Sequence, residues 1–171
     1  EAFVFSLDEL EISIVSILKK FPNCSDLIVA SVGNTPKEVF LAFENQLNIH
    51  FISHQSLFPF KNLYETPATL GIDRMVLASG AVLEFPNYNR LVIDAGTCVT
   101  YDFIDAEDNY LGGAISPGIR LRYEALHQYT AKLPLLTKAY PNHYIGNSTH
   151  QAIHTGVIQG LLHEIDGFIM Q

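Results

Sequence analysis

The chain has 171 residues, of which 48% are hydrophobic, and a formal net charge of −8. That supplies a core for one domain or two small ones. The acidic balance argues against nucleic acid and anionic membranes as partners, since both reward clustered Lys and Arg. No apolar run approaches the roughly 20 residues of a membrane span, and no secretory leader pattern is visible. The two cysteines, Cys24 and Cys98, form no C-x-x-C. They read as reduced thiols in a cytoplasmic protein. The chain opens on Glu1 without methionine and stops at Gln171 inside an uncapped amphipathic pattern. Both ends are expected to be those of a fragment.

Ser6-Leu7-Asp8-Glu9 has the pattern of a capping box, and Leu7, Leu10, Ile14, Ile17 and Leu18 continue it at helical spacing. Pro22-Asn23 ends that helix. Leu27 to Val32 is a continuously apolar strand, expected to be buried on both faces. Thr35-Pro36-Lys37-Glu38 starts the next helix, and Ile49 to Ile52 reads as a second strand. Alternating strand and helix predicts an α/β sheet. Residues 53 to 66 read as a loop, followed by a helix over 70–83. Phe85-Pro86-Asn87-Tyr88-Asn89 breaks it and is expected to be a hinge between a lobe at 1–88 and another at 89–171. Three close-spaced strands, Arg90–Asp94, Cys98–Ile104 and Tyr110–Ile115, predict an antiparallel meander. A helix from Ile119 to Tyr129 follows. Ser148 caps a final long helix carrying Ile153, Val157, Ile158, Leu161, Leu162, Ile165 and Ile169.

The densest chemistry lies in Leu91 to Phe103. An apolar strand ends on Asp94, Ala95-Gly96-Thr97 turns tightly, and a second strand begins. A carboxylate suits a hard cation, and turn N–H groups suit phosphate oxygens, so this strand mouth reads as a nucleotide site. Gly71-Ile72-Asp73-Arg74 stands at a helix start. Asp73 is either a favourable partner of the helix dipole or a general base beside an anion-binding arginine. Gly112-Gly113-Ala114-Ile115-Ser116-Pro117-Gly118 is either a plain turn or a loop that lets backbone approach a ligand. His150 and His154 are four apart on a helix, but no glutamate stands beside the first, so solvated surface histidines are expected. Val32-Gly33-Asn34-Thr35 is better explained by a Thr35 cap than by a phosphate loop. Cys98 is expected to be a packed thiol.

Taken jointly, the chain resembles the type III pantothenate kinases, members of the actin, sugar kinase and heat-shock ATPase superfamily. The resemblance is carried by Tyr64 to Arg74, Asp94-Ala95-Gly96-Thr97, Gly112 to Gly118, Thr130-Ala131-Lys132-Leu133-Pro134 and Ile145-Gly146-Asn147-Ser148-Thr149. It implies a two-lobed, ribonuclease H-like (actin-like ATPase) α/β fold with mixed sheets flanked by helices. It implies ATP-dependent phosphorylation of pantothenate, the first step towards coenzyme A, with Asp73 as proton acceptor. Tyr64, Gly71, Ile72, Asp73, Arg74 and Thr149 would hold pantothenate. Gly96 and Thr97 would contact ATP, and Asp94 would hold a potassium or ammonium ion in addition to magnesium carried by ATP. A homodimer with its active site near the subunit interface is implied as well, and the hinge read above leads us to expect the site between the lobes. The family's opening D-x-G-N-T phosphate loop and late adenosine motif have no counterpart between Glu1 and Gln171. The N-terminal lobe is therefore expected to lack its first strands, and the C-terminal lobe its end. Two rival readings keep the fold: a non-catalytic regulator, or another small-molecule kinase of the superfamily.

Overall fold

The structure, a computed structural model, describes residues 1–31, 33 and 37–171. Of the segments read above, the Thr35-Pro36 helix start, Val32 and Asn34 lie outside the described residues. The chain divides into two compact units. One comprises Glu1–Phe58 with Glu65–Leu77, the other Pro59–Tyr64 with Ala78–Gln171. The division falls inside the helix that precedes the proline break, not at 88/89.

In the first unit, helix α1 (Leu10–Lys20) follows a single 3-10 turn at Leu7–Glu9. Glu9 accepts the Ser6 backbone N–H at 3.4 Å and the Ser6 hydroxyl at 3.2 Å, which fixes the helix start as its sequence promised. Strands β1 (Asp26–Val29) and β2 (Asn48–Phe51) pair in parallel, connected through the short helix α2 (Lys37–Leu41). Leu10 and Ile14 from α1 and Phe40, Phe43 and Leu47 form the buried core, with Leu27, Val29, Ile49 and Phe51 packed against it. One face of the pair is therefore buried and the other is not. Ile28, expected inside, is 67% exposed, because among the described residues the core packs on the Leu27 and Val29 face of β1. An apolar run does not itself tell a doubly covered strand from a singly covered one.

In the second unit, β3 (Lys61–Asn62), β4 (Arg90–Ala95), β5 (Cys98–Ile104) and β6 (Asn109–Pro117) make one sheet in the order β3-β6-β5-β4. The predicted antiparallel meander is present. The two-residue β3, which pairs in parallel with β6, lies in the stretch read as a loop. Helix α3 (Ile72–Glu84) runs from the first unit into the second. The connector after it is tied down. Arg90, buried, donates to the carbonyls of Phe85 and Asp105 and to the Asp108 carboxylate, each at 2.7 Å.

Helix α4 (Ile119–Gln128) packs against α5 (Thr149–Ile169) through Tyr123, Ile153, Val157 and Ile158. Helix α5 covers one face of the sheet, where Val99 and Tyr101 meet Leu161, and Tyr101 stacks on Phe168 at 4.1 Å. Side chains alternate along a strand. With Val99, Tyr101 and Phe103 beneath α5, the residues Thr100 and Asp102 point to the opposite face. The register sets Asp94 beside Thr100 on that face.

Candidate active site

In the first unit, the start of α3 is shaped by its glycine. Leu70 is buried, and His54 Nε2 lies 2.8 Å from its carbonyl, anchoring the approach to the helix. Asp73 stands in the first turn, where its Oδ1 accepts the Arg74 N–H at 2.9 Å, yet the residue remains exposed. Both readings of Asp73 thus have a basis: one oxygen serves a first-turn amide, and the carboxylate reaches solvent. A Cβ on Gly71 would sit 2.4 Å from Asp73 Oδ1, so glycine there leaves the carboxylate its space. Ile72 and Arg74 are buried.

The other candidate residues belong to the second unit. The turn between β4 and β5 closes with the Gly96 N–H donating to the Cys98 carbonyl at 2.9 Å, so that amide is not free for phosphate as the sequence suggested. The β6-to-α4 loop locks onto the same turn, with Gly118 N–H donating to the Thr97 carbonyl at 3.0 Å. Asp94 and Thr97 are exposed, and so is Cys98, contrary to the expected packed thiol. Cys98 opens β5 at the sheet's end, where little packs over it. The Thr100 hydroxyl is buried without a hydrogen-bond partner.

A cavity of about 650 Å³ opens beside the turn, lined by Ala95 and Gly96, by Tyr123 and Leu136, and by the cations Arg120 and Lys138. Neither cation stands in a motif. The available signal was Arg120's place in the first turn of α4, directly after the glycine-rich loop. Thr149 lies elsewhere in this unit, on a mainly apolar cavity of about 830 Å³ shared with Pro117 and Arg122. Ser148 caps α5, accepting the Gln151 N–H at 3.3 Å. The Thr130-to-Pro134 segment closes the end of α4, with Thr130 donating to the Leu126 carbonyl at 2.6 Å. Tyr64 lies against Gly112. His154, half-buried, lies 2.7 Å from the Tyr123 hydroxyl rather than in solvent.

One polar network was invisible in the sequence because its members are far apart in the chain. Glu164 on α5 accepts from Tyr101 at 2.8 Å, Ser116 at 3.0 Å and Arg122 at 2.6 Å. Arg122 also donates to the Pro117 carbonyl at 2.7 Å. The network therefore pins the glycine-rich loop to α5. Burial pushes the Tyr101 hydroxyl up to about 12, and the bond to Glu164 adds to that. Burial also pushes the Glu164 carboxyl up, but the bonds from Arg122, Tyr101 and Ser116 outweigh it and hold it below its usual range. A carboxyl lowered in the folded state adds stability above its unfolded pKa and loses it as pH falls through the folded one. Glu164→Gln is expected to cost about 1–2 kcal/mol at neutral pH, with the difference from the parent closing below the carboxylate range. Urea unfolding across that range checks this. A pH-independent difference would assign the loss to packing instead.

Comparison with known proteins decides the family. A profile of the type III pantothenate kinases matches residues 5–171. The chain belongs to the type III pantothenate kinase family. The type III pantothenate kinase of Flavobacterium johnsoniae is 69% identical over 99% of this chain, which spans 69% of that protein. The enzyme of the same name from Flavobacterium psychrophilum is 56% identical over 99% of the chain, which spans 70% of it. Among solved structures, a conserved Baf family protein from Campylobacter jejuni, named as a transcriptional activator, is 25% identical with a TM-score of 0.55. That match covers 88% of this chain and 68% of the other. Family membership makes the chain's class that of a phosphotransferase, and the mixed α/β architecture with helices flanking sheets agrees with it.

Proposed function

We propose that the chain carries out ATP-dependent phosphorylation of pantothenate to 4′-phosphopantothenate, the first step of coenzyme A biosynthesis. The observation that carries this reading is the family match over residues 5–171, in a chain that holds both an exposed Asp73 at a helix start preceded by glycine and an intact Asp94-Ala95-Gly96-Thr97 turn. The finer fold reading, an actin-like two-lobed ATPase, goes with it, as do a cytoplasmic homodimer and magnesium-bound ATP. No helix of the described residues is long and apolar enough to cross a membrane.

The primary hydroxyl of pantothenate is a poor nucleophile until a base takes its proton, and Asp73 is assigned that role. Arg74 is assigned to the substrate carboxylate, and Tyr64, Gly71, Ile72 and Thr149 are each assigned to pantothenate by their place in the family's motifs. Thr97 and Gly96 are assigned to ATP, Gly96 through the cavity it lines and not through its amide, which the Cys98 carbonyl takes. In phosphoryl transfer the protein mostly positions groups and neutralises charge. The cavity beside the turn is lined by Arg120, Lys138 and Glu124; Glu124 pairs with Arg120 at 3.4 Å, so Lys138 is the lining cation left to meet a nucleotide phosphate.

Asp94 is assigned to a monovalent cation, potassium or ammonium. The donor set fits: a carboxylate at a strand end and, beside it in the ladder, the partnerless hydroxyl of Thr100, both hard oxygen ligands. When bound, such an ion offsets the repulsion between the Asp94 carboxylate and phosphate. With magnesium held constant, exchanging potassium for tetramethylammonium at equal ionic strength is expected to abolish most turnover. Full activity after the exchange would remove the cation role from Asp94.

The deciding experiment for the function is a phosphoryl-transfer assay with pantothenate against a panel of sugars. Transfer to pantothenate alone is expected. Transfer to a sugar would move the chain to another kinase of the superfamily. Absence of transfer to any acceptor would favour the regulator reading, which the name of the Campylobacter jejuni structure brings forward.

A further inference from the structure

Gly112 has φ +113°, a left-handed conformation that glycine adopts at little cost. It follows an irregularity in the ladder, where Phe103 pairs with Gly112 but Ile104 pairs with Tyr110, leaving Leu111 as the extra residue of a bulge. A Cβ at Gly112 would meet the Tyr64 ring at 3.3 and 3.5 Å. On the far side of the bulge, Tyr110 is fully buried and meets the Tyr64 ring edge-on, centroids 6.2 Å apart at 66°. Phe60 flanks Tyr110 at 5.5 Å. The backbone is referred to the same residue: Leu63 N–H donates to the Tyr110 carbonyl at 3.0 Å, and Tyr64 N–H donates to Asn62 Oδ1 at 2.9 Å. Tyr110 is itself anchored, since its hydroxyl donates to the carboxylate of Asp102, another fully buried residue. No step of the proposed phosphoryl transfer uses Asp102 or Tyr110.

We propose that Tyr110, anchored by Asp102 and set beside Gly112, is a positioning residue that fixes the Tyr64 ring for the acceptor substrate. This rests on the reading of Tyr64 as a pantothenate contact. The bulge turns the strand, glycine lets the ring close on it, and the buried carboxylate stops Tyr110 from rotating away. Selectivity for the acceptor is then set partly by residues that never touch it.

The test is a double-mutant cycle of Tyr110→Phe and Tyr64→Ala, read as KM for pantothenate, KM for ATP and kcat. Tyr110→Phe keeps the ring, removes its anchor and takes one donor from the buried Asp102 carboxylate. It is expected to raise the pantothenate KM about tenfold, with kcat and the ATP KM changed less than about twofold. On the Tyr64→Ala background it is expected to add almost nothing. Gly112→Ala is expected to act in the same direction, and it decides by the same criteria should Tyr110→Phe fail to fold. A full additive effect on the Tyr64→Ala background, or equal changes in all three constants, would overturn the proposal and leave Tyr64 a substrate contact. An unchanged pantothenate KM in Tyr64→Ala alone would instead remove the Tyr64 reading, and the proposal with it.

Discussion

Asp73→Asn is expected to lower turnover with pantothenate by about 10²–10⁴-fold, the usual range for loss of a general base. Asparagine keeps the shape of the side chain and can still accept the Arg74 N–H that Asp73 Oδ1 now takes at 2.9 Å. The first turn of α3 should therefore survive, and thermal unfolding should change little. What asparagine loses is proton affinity. ATP binding, assigned to Gly96 and Thr97, is expected to be nearly unchanged. Single-turnover kinetics with nucleotide binding measured separately distinguishes the cases. Unchanged turnover would return Asp73 to the role of a helix-dipole partner, the alternative that its place in a first turn always allowed.

Elements with strong local signals were legible in the sequence. The Ser6 and Ser148 caps, the three-strand meander and the two long helices follow from residue types a few positions apart. Features set by distant residues were not. Strand β3 is two residues long and exists because β6 offers it an edge. The exposure of Ile28 depends on what covers the sheet, which an apolar run does not encode. The Glu164 network joins β5, β6, α4 and α5, and the cavity beside the β4–β5 turn brings Arg120 and Glu124 of α4 together with Lys138 of the loop beyond it. The candidate site residues are picked out by glycines and carboxylates in fixed order, and their roles stand as assignments from that order. The function of each glycine was not legible. Gly71 makes room for a carboxylate and Gly112 for a tyrosine ring, and a sequence shows only that glycine is there.

The structure also ranks the glycines. A Cβ on Gly118 would lie 2.3 Å from the Gly96 carbonyl oxygen and 2.5 Å from that of Thr97. Both are backbone atoms, so no rotamer change relieves the overlap, and either the start of α4 or the β4–β5 turn must move by about 1 Å to reach ordinary contact. Arg122, tied to the Pro117 carbonyl and to Glu164, resists movement on the α4 side. The turn is the part that yields, and it carries the two residues assigned to ATP. A misplacement of that size costs about a hundredfold in rate. Gly118→Ala is therefore expected to lower kcat/KM for ATP by roughly that factor, while the pantothenate KM stays near its parent value. Gly167→Ala is the control. It lies on α5 with nothing within 4 Å of a Cβ, and alanine there is expected to stabilise the helix by about 0.5–1 kcal/mol without changing either constant. Equal behaviour of the two variants in the kinetic assay would show that the loop from β6 does not hold the turn in place.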